Sequence, residues 1–176
     1  MKLSAVEQRF VLHWGEMGSR WGVNRTVAQL HALLYLATRP LPAEEIAETL
    51  GVARSNVSTS LKELQSWGLV KVVHQLGDRR DHFESLHDVW DIFFVILEER
   101  KKRELDPTLT TLRECVMESE EDPEIDPVVK ERIEQTLQFL EQITGWYAQM
   151  KKMDRASMLK MIKIGIKIQS LLNPKG

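Results

Sequence analysis

The sequence predicts a mainly α-helical fold that carries one β-hairpin. Through most of the 176 residues, apolar side chains recur every three or four positions, which is the period of an amphipathic helix. The pattern changes at the β-branched run 69–74, and Gly77-Asp78 then marks a turn before a second short run at 81–86. An isolated hairpin is marginally stable in water, so we expect it to pack on the helices.

The composition is that of an ordinary globular protein, with 43% hydrophobic and 28% charged residues. The single cysteine excludes a disulfide framework, and no apolar run approaches the roughly 18 residues needed to span a bilayer. The first ten residues are too polar for a signal peptide, so we expect a cytoplasmic protein with no membrane partner. The net charge of −2 does not indicate a nucleic-acid partner, although local basic groups can still contact phosphates.

Four helices are predicted before the hairpin. Ser4 and Glu7 have capping-box spacing, and the first helix continues with an apolar stripe from Leu3 to Trp21. Glycine or proline residues end each of the next three helices. We place these helices at about 24–38, 43–50 and 54–67.

Helices resume after the hairpin. Asp106-Pro107 and Asp126-Pro127 each have the pattern of an N-cap followed by a first-turn proline. The segment 162–168 alternates with period two like a strand, but the lysines at 160, 163 and 167 share one helical face, so we predict helix. The predicted helices cover about 89–105, 107–121, 127–150 and 154–172.

The stretch 44–67 has the spacing of a helix-turn-helix motif. Ala47, Gly51 and Val57 stand at relative positions 0, +4 and +10. A small residue at 47 allows the second helix to approach, Gly51 supplies the positive φ of a sharp turn, and Val57 fills the wedge between the helices. In this motif the second helix enters the major groove of DNA. An ordinary αα corner can also contain a glycine, and it remains an alternative at this point.

The second helix of the motif carries polar groups that suit base edges and phosphates. Short hydroxyls, an amide and two cations are the side chains that such contacts use. The hairpin follows directly, with Arg79 and Arg80 at its tip, so the two features together predict a winged helix-turn-helix. We expect the exposed set on the helix to be Arg54, Ser55, Asn56, Ser58, Thr59, Ser60 and Lys62.

The chain resembles the MarR-type winged-helix regulators and, more closely, their GbsR branch. The resemblance covers roughly 1–115 and depends on Gly77-Asp78-Arg79-Arg80-Asp81 at the wing and on Trp21-Gly22-Val23-Asn24-Arg25-Thr26 near the N-terminus. Three further segments carry it, at 41–58, 61–70 and 98–104.

The resemblance implies a homodimer that binds a pseudo-palindromic operator in double-stranded DNA, usually as a repressor. Terminal helices then form the dimer interface, and their apolar stripes are consistent with this, although an intramolecular core is the alternative. The implied division is a dimerisation helix at 1–22, a winged helix-turn-helix DNA-binding domain at 23–88 and a helical dimerisation region at 89–176.

Each candidate DNA-binding residue receives a predicted role. We expect base contacts in the major groove, phosphate contacts beside them, and wing contacts from the hairpin. Replacing Arg80 by Ala should weaken binding and reduce the salt slope by about one. The base-contacting set is Arg54, Ser55, Asn56 and Thr59; the phosphate set is Arg25, Ser58 and Lys62; the wing set is Arg79 and Arg80.

Some members of this family respond to a small-molecule effector, and the GbsR branch includes sensors of choline, a quaternary ammonium ion. Such a cation binds in an aromatic cage, for which Trp14, Trp21, Trp90 and Phe94 are the candidates, although aromatic residues at helical spacing are more often core. No catalytic motif, metal-ligand spacing or cofactor signature is present, so we expect neither an enzyme nor a metal or cofactor. The alternatives are a winged-helix protein-interaction module and a non-specific architectural DNA-binding protein.

Overall fold

The computed structural model describes the backbone of residues 1–172 and the side chains of residues 1–165. It is mainly helical with a small three-stranded antiparallel sheet, which confirms the predicted fold class. No helix in this part of the chain has the length and apolarity to cross a membrane. The elements are α1 Ala5–Arg20, α2 Arg25–Leu36, β1 Leu41–Pro42, α3 Ala43–Leu50, α4 Arg54–Ser66, β2 Val70–Val73, β3 His82–Ser85, α5 Val89–Arg100, a π-helical turn Lys101–Leu105, α6 Asp106–Glu121, α7 Pro127–Met150 and α8 Arg155–Leu172.

Side-chain caps fix the starts of α1, α2 and α7. The Glu7 amide donates to Ser4 Oγ at 3.3 Å, and the Ser4 amide donates to the Glu7 carboxylate at 2.7 Å, which completes the predicted capping box. Asn24 accepts from the amide of Thr26, and Asp126 accepts from the amide two residues ahead. These bonds satisfy amides that have no partner inside the helix.

The prediction that Asp106 caps a helix is wrong. Its backbone is already helical, because the π-helical turn Lys101–Leu105 leads directly into α6 and leaves no free first turn to cap. Asp106 Oδ1 instead accepts from Lys101 Nζ at 2.7 Å. Pro107 fits here because the π-helical turn has already interrupted the regular hydrogen-bond ladder that a proline would break.

The chain divides into two compact units, Met1–Glu99 and the part that begins at Arg100. The core of the first unit surrounds α2, whose Leu30, Leu33 and Leu34 are fully buried. α1 packs against α2 through Val11, Gly15 and Gly18, which are its buried residues. The apolar stripe predicted from Leu3 to Trp21 therefore faces the core only in part, because Val6 is 68% exposed and Trp21 is 51% exposed.

We expect Gly18→Ala to destabilise the fold more than Gly15→Ala. A Cβ atom at Gly18 would overlap the Cβ of Ala28, which cannot move without the α2 backbone, whereas a Cβ at Gly15 would lie 2.5 Å from Cγ of Gln29, whose side chain can change its rotamer. Overpacking of this kind costs about 1–3 kcal/mol, which exceeds the roughly 1 kcal/mol that alanine gains in a helix. Urea unfolding of both variants measures the difference, and equal stabilities would contradict the close α1–α2 contact.

The sheet contains one strand that the sequence analysis missed. β3 lies between β1 and β2, with Leu41 opposite Phe83 and Val72 also opposite Phe83. Pro40 and Pro42 were expected only to end a helix, but an edge strand tolerates proline because one side of it needs no amide donor. The predicted hairpin is confirmed as β2 and β3, and the third strand ties it to the start of α3.

The second unit contains α6, α7 and α8. α6 packs against α7, and Arg113 Nη2 donates to Glu141 Oε1 at 2.8 Å across this contact. None of the 24 residues of α7 is buried within the chain. The segment 162–168 lies in α8, as predicted, although the side chains from 166 onward lie outside the described part.

Candidate nucleic-acid interface

The helix-turn-helix motif forms as the spacing predicts. Gly51 adopts φ 64° and ψ 33°, which is the left-handed conformation that ends α3. The Val52 amide donates to the Ala47 carbonyl at 3.1 Å, so the turn is closed by a backbone hydrogen bond. Val57 and Ile46 are fully buried between the two helices. The alternative of an unspecialised corner does not explain the wing that follows.

The outward face of α4 is polar and carries no carboxylate through its first two turns. Val57, Ser60, Leu61 and Leu64 form the buried face, three or four residues apart. The expectation that Ser60 is exposed is therefore wrong, because it shares the inward face with Val57. Between 54 and 62 the exposed residues are Arg54, Ser55, Asn56, Ser58, Thr59 and Lys62.

Arg54, the first residue of α4, is not a free cation. Its Nη2 lies 2.6 Å from Glu44 Oε1 on α3, while the arginine side chain remains 71% exposed. An exposed ion pair of this kind is weak and screened by salt, so a phosphate can compete for the guanidinium. Ala53 precedes it as the N-cap without a side-chain acceptor, which leaves amides of the first turn open.

The wing holds Arg80 against Asp78. Arg80 Nη2 donates to Asp78 Oδ2 at 2.6 Å, and the Arg80 amide donates to Oδ1 at 2.9 Å. The hydrogen bonds from the Arg80 guanidinium and amide hold the pKa of Asp78 well below its usual range. Both residues line a polar groove of about 500 Å³ that also contains Glu44 and Glu45 of α3. Arg80 therefore points toward acidic groups.

Arg79 has different surroundings from its neighbour. It is exposed, and it forms no ion pair with any side chain in the described part of the chain. Below the tip, His82 is buried, with Nδ1 3.0 Å from the Arg80 carbonyl oxygen and Nε2 3.5 Å from Asp78 Oδ2. The wing base is thus anchored, and Arg79 projects from it.

Leu76 is a wing residue to which the sequence analysis assigned no role. It is fully exposed, beside Gly77 with its positive φ of 86°. An apolar side chain at the tip of a glycine-containing turn cannot be buried in the core. Its presence in the turn was therefore the signal in the sequence that Leu76 could have a binding role. Such a residue can contact sugars or base edges in a minor groove.

Arg25, which is assigned to a phosphate contact, is exposed as the first residue of α2, directly after the Asn24 cap.

The four aromatic candidates for an effector cage lie in different places. Trp14 and Trp21 line one cavity of about 210 Å³. Trp90 instead packs edge-to-face on Phe93, which in turn contacts Phe94. The structure therefore does not bring the four candidates together in one cage.

Comparisons with known proteins agree with this geometry. Residues 21–81 match the MarR family. YvaV, an HTH-type transcriptional regulator of Bacillus subtilis, is 20% identical over 82% of this chain and 83% of its own length. The HTH-type transcriptional repressor GbsR of the same organism is 23% identical over 76% of this chain and 75% of its own.

A crystal structure described as that of a transcriptional regulator has the same fold, with a TM-score of 0.58 and 20% identity, and the match covers 81% of this chain and 98% of that one. The relatives are regulators, in agreement with the prediction that the chain is not an enzyme. The match to the MarR family over residues 21–81 therefore covers the helix-turn-helix and the wing, and the chain is similar to HTH-type transcriptional regulators over most of its length.

Proposed function

We propose that the protein is a sequence-specific regulator that binds double-stranded DNA as a homodimer, represses transcription from a pseudo-palindromic operator, and responds to a small-molecule effector. It works in the cytoplasm. The observation that carries the proposal is the exposed polar face in the first two turns of α4, which carries no carboxylate, beside a wing whose Arg79 forms no ion pair with the described side chains. The name of its relative GbsR supports repression as the direction of control.

Base readout is assigned to the first two turns of α4. Asn56 can donate to and accept from an adenine edge, and Ser55 and Thr59 offer short hydroxyls on the same exposed face. Arg54 reaches a guanine or a phosphate once Glu44 releases it. Ser58, Lys62 and Arg25 contact phosphates and fix the register of the helix in the groove.

The wing assignments separate the two arginines. Arg79 contacts phosphate or the minor groove, because it is exposed and has no acidic partner in the described side chains. Arg80 mainly shapes the wing, because Asp78 already neutralises it and holds it at three atoms. Leu76 adds an apolar contact at the wing tip.

We expect Arg79→Ala to reduce the salt slope of DNA binding more than Arg80→Ala. Each phosphate contact contributes about 0.9 to the slope of log K against log salt, so losing Arg79 from both subunits should remove roughly two. Removing Arg80 exposes the Asp78 carboxylate, so affinity falls while the number of neutralised phosphates changes little. The salt slopes of both variants are measured by fluorescence anisotropy on a duplex operator, at salt concentrations between about 50 and about 300 mM. Equal slopes for the two variants would contradict the assignment.

The proposal of a homodimer is based on an exposed apolar face of α7. Phe139, Ile143 and Trp146 are 59%, 41% and 57% exposed, and their spacing places them on one side of the helix. An apolar stripe of this size on an otherwise polar helix is typical of an interface between subunits. A second copy of the chain can cover this stripe, because a twofold rotation axis places the stripe of one subunit against the same stripe of the other.

Trp146→Glu should weaken self-association by about 100-fold or more, because a buried tryptophan at an interface is worth several kcal/mol. Ala148→Glu is the matched control, since Ala148 is exposed on the opposite side of α7. Analytical ultracentrifugation over a range of protein concentrations gives both dissociation constants. If the two variants dimerise alike, α7 does not form the interface through this face.

The whole proposal is tested by binding purified protein to genomic fragments at about 150 mM salt and sequencing the retained DNA. One enriched palindromic motif supports a specific dimeric regulator. Equal retention of all fragments would instead indicate a non-specific architectural DNA-binding protein. No retention, with folded protein, would favour a protein-interaction module.

A further inference from the structure

The charges of the second unit are separated between the two ends of α7. The segment 114–141, which contains the turn between α6 and α7, has ten carboxylates and two cations. The segment 151–165, which follows α7 and contains the described side chains of α8, has five cations and one carboxylate. We call residues 118–126 the acidic corner and residues 151–163 the basic end.

The acidic corner and the basic end both carry charged side chains that are available for a contact. Glu121 and Glu124 of the corner are exposed, as are Lys160 and Lys163 of the basic end, and none of these four forms an ion pair with a side chain that the structure describes. Lys160 and Lys163 lie three residues apart, so they project from one face of α8. Each group therefore presents net charge to its surroundings.

The basic end cannot neutralise the acidic corner of its own chain. α7 has 24 residues, so its two ends lie about 35 Å apart. Lys163 is nine residues beyond Asp154, so even an α8 that folds back along α7 returns by at most about 15 Å at this residue. The remaining separation of roughly 20 Å exceeds the screening length of about 8–10 Å at physiological salt.

A second copy of the chain can bring the two charged groups together. When the apolar stripes of two α7 helices pair with the helices antiparallel, the last residue of each α7 lies about 12 Å before the level of the partner's first α7 residue, a distance that α8 can span. A parallel pair would instead place corner against corner and basic end against basic end, which repulsion between like charges disfavours. The charge distribution therefore favours the antiparallel pair.

We propose that the homodimer is antiparallel along α7 and that the basic end of each subunit docks on the acidic corner of the other. The inference rests on the homodimer proposed above, and it adds the orientation of the subunits and a second contact surface. Val128 and Val129 at the start of α7 are exposed beside the corner, and Leu159 and Ile162 of α8 are exposed as well, so the contact also buries apolar area. The twofold axis produces this contact twice in each dimer.

The test exchanges charges between subunits. Lys160→Glu/Lys163→Glu makes the basic end acidic, and Glu121→Lys/Glu124→Lys makes the corner basic, so either variant homodimer contains two repulsive contacts. Each should dimerise at least about tenfold more weakly than wild type at about 50 mM salt, and the difference should shrink to about threefold or less at about 500 mM. Analytical ultracentrifugation, with a fluorescent label on one of two mixed chains, gives the dissociation constants.

A mixture of the two variants is the decisive sample. In the heterodimer both contacts join opposite charges again, so its dissociation constant should return to within about threefold of the wild-type value. A contact inside one chain would not be restored by mixing. Lys160→Arg/Lys163→Arg keeps the charge of the basic end and is the matched control, which should dimerise like wild type.

The outcomes separate this inference from the homodimer itself. If both charge-reversed variants dimerise as tightly as wild type while Trp146→Glu is monomeric, the α7 interface stands and the docking of the basic end is wrong. If both variants are folded and weakened but their mixture does not recover, the two charged groups do not meet between subunits, and the proposal is likewise wrong. A wild-type chain that stays monomeric at every concentration would remove the homodimer and this inference with it.

Discussion

Replacing Asn56 by Ala is expected to lower affinity for the operator by about 100-fold while leaving affinity for unrelated duplexes almost unchanged. A bidentate contact from an asparagine to a base is worth about 1–3 kcal/mol, and a homodimer loses it twice. Asn56 is exposed in the first turn of α4, where a recognition helix meets base edges, and its side chain makes no hydrogen bond within the described chain. Removing this side chain should therefore lower the affinity for DNA and leave the stability of the fold unchanged.

The experiment uses the operator recovered from genomic fragments and a scrambled duplex of the same length. Lys62→Ala is the matched control, because Lys62 is exposed on the same helix and is assigned to phosphate. It should weaken binding to both duplexes by a similar factor and reduce the salt slope. If Asn56→Ala also weakens both duplexes equally, the side chain contacts the DNA backbone, and the bases are read elsewhere on the protein.

The sequence predicts the features of this site that depend on local spacing. Gly51 ends α3 in the left-handed conformation, and the inward position of Val57 follows from its distance along the helix. The caps at Ser4 and Asp126 are likewise local, since each side chain bonds an amide two or three residues away. Such patterns have a defined physical reason at a fixed separation, so a single sequence is enough to recognise them.

Features that depend on packing between distant segments are the ones that sequence reasoning missed. β1 is only two residues long, and it forms because Leu41 meets Phe83, which is far along the chain. The pairing of Arg54 with Glu44 and the cavity at His31 likewise require the helices to be in place. Asp106 shows the limit of a local pattern, because the residues before it were already helical and the cap it predicts could not form.

His31 is expected to make the protein less stable as the pH falls from about 6.5 to about 4. Burial lowers the pKa of His31 to about 4, whereas the same side chain in the unfolded chain has an ordinary value of 6.5. Between these values the unfolded chain binds a proton that the folded chain does not, so the free energy of unfolding decreases as the pH falls. The loss approaches about 3 kcal/mol at the acid end of this window.

Urea unfolding at several pH values, for wild type and His31→Leu, isolates this contribution from that of the carboxylates. The difference in unfolding free energy between the two chains should change by about 3 kcal/mol across the window, with the leucine variant gaining relative to wild type as the pH falls. His74→Leu is the control, because the His74 side chain is 82% exposed on the wing. At neutral pH, His31→Leu should be at least as stable as wild type, since it removes a buried atom without a partner. Parallel pH curves for wild type and His31→Leu would mean that the imidazole is hydrated or hydrogen-bonded in solution.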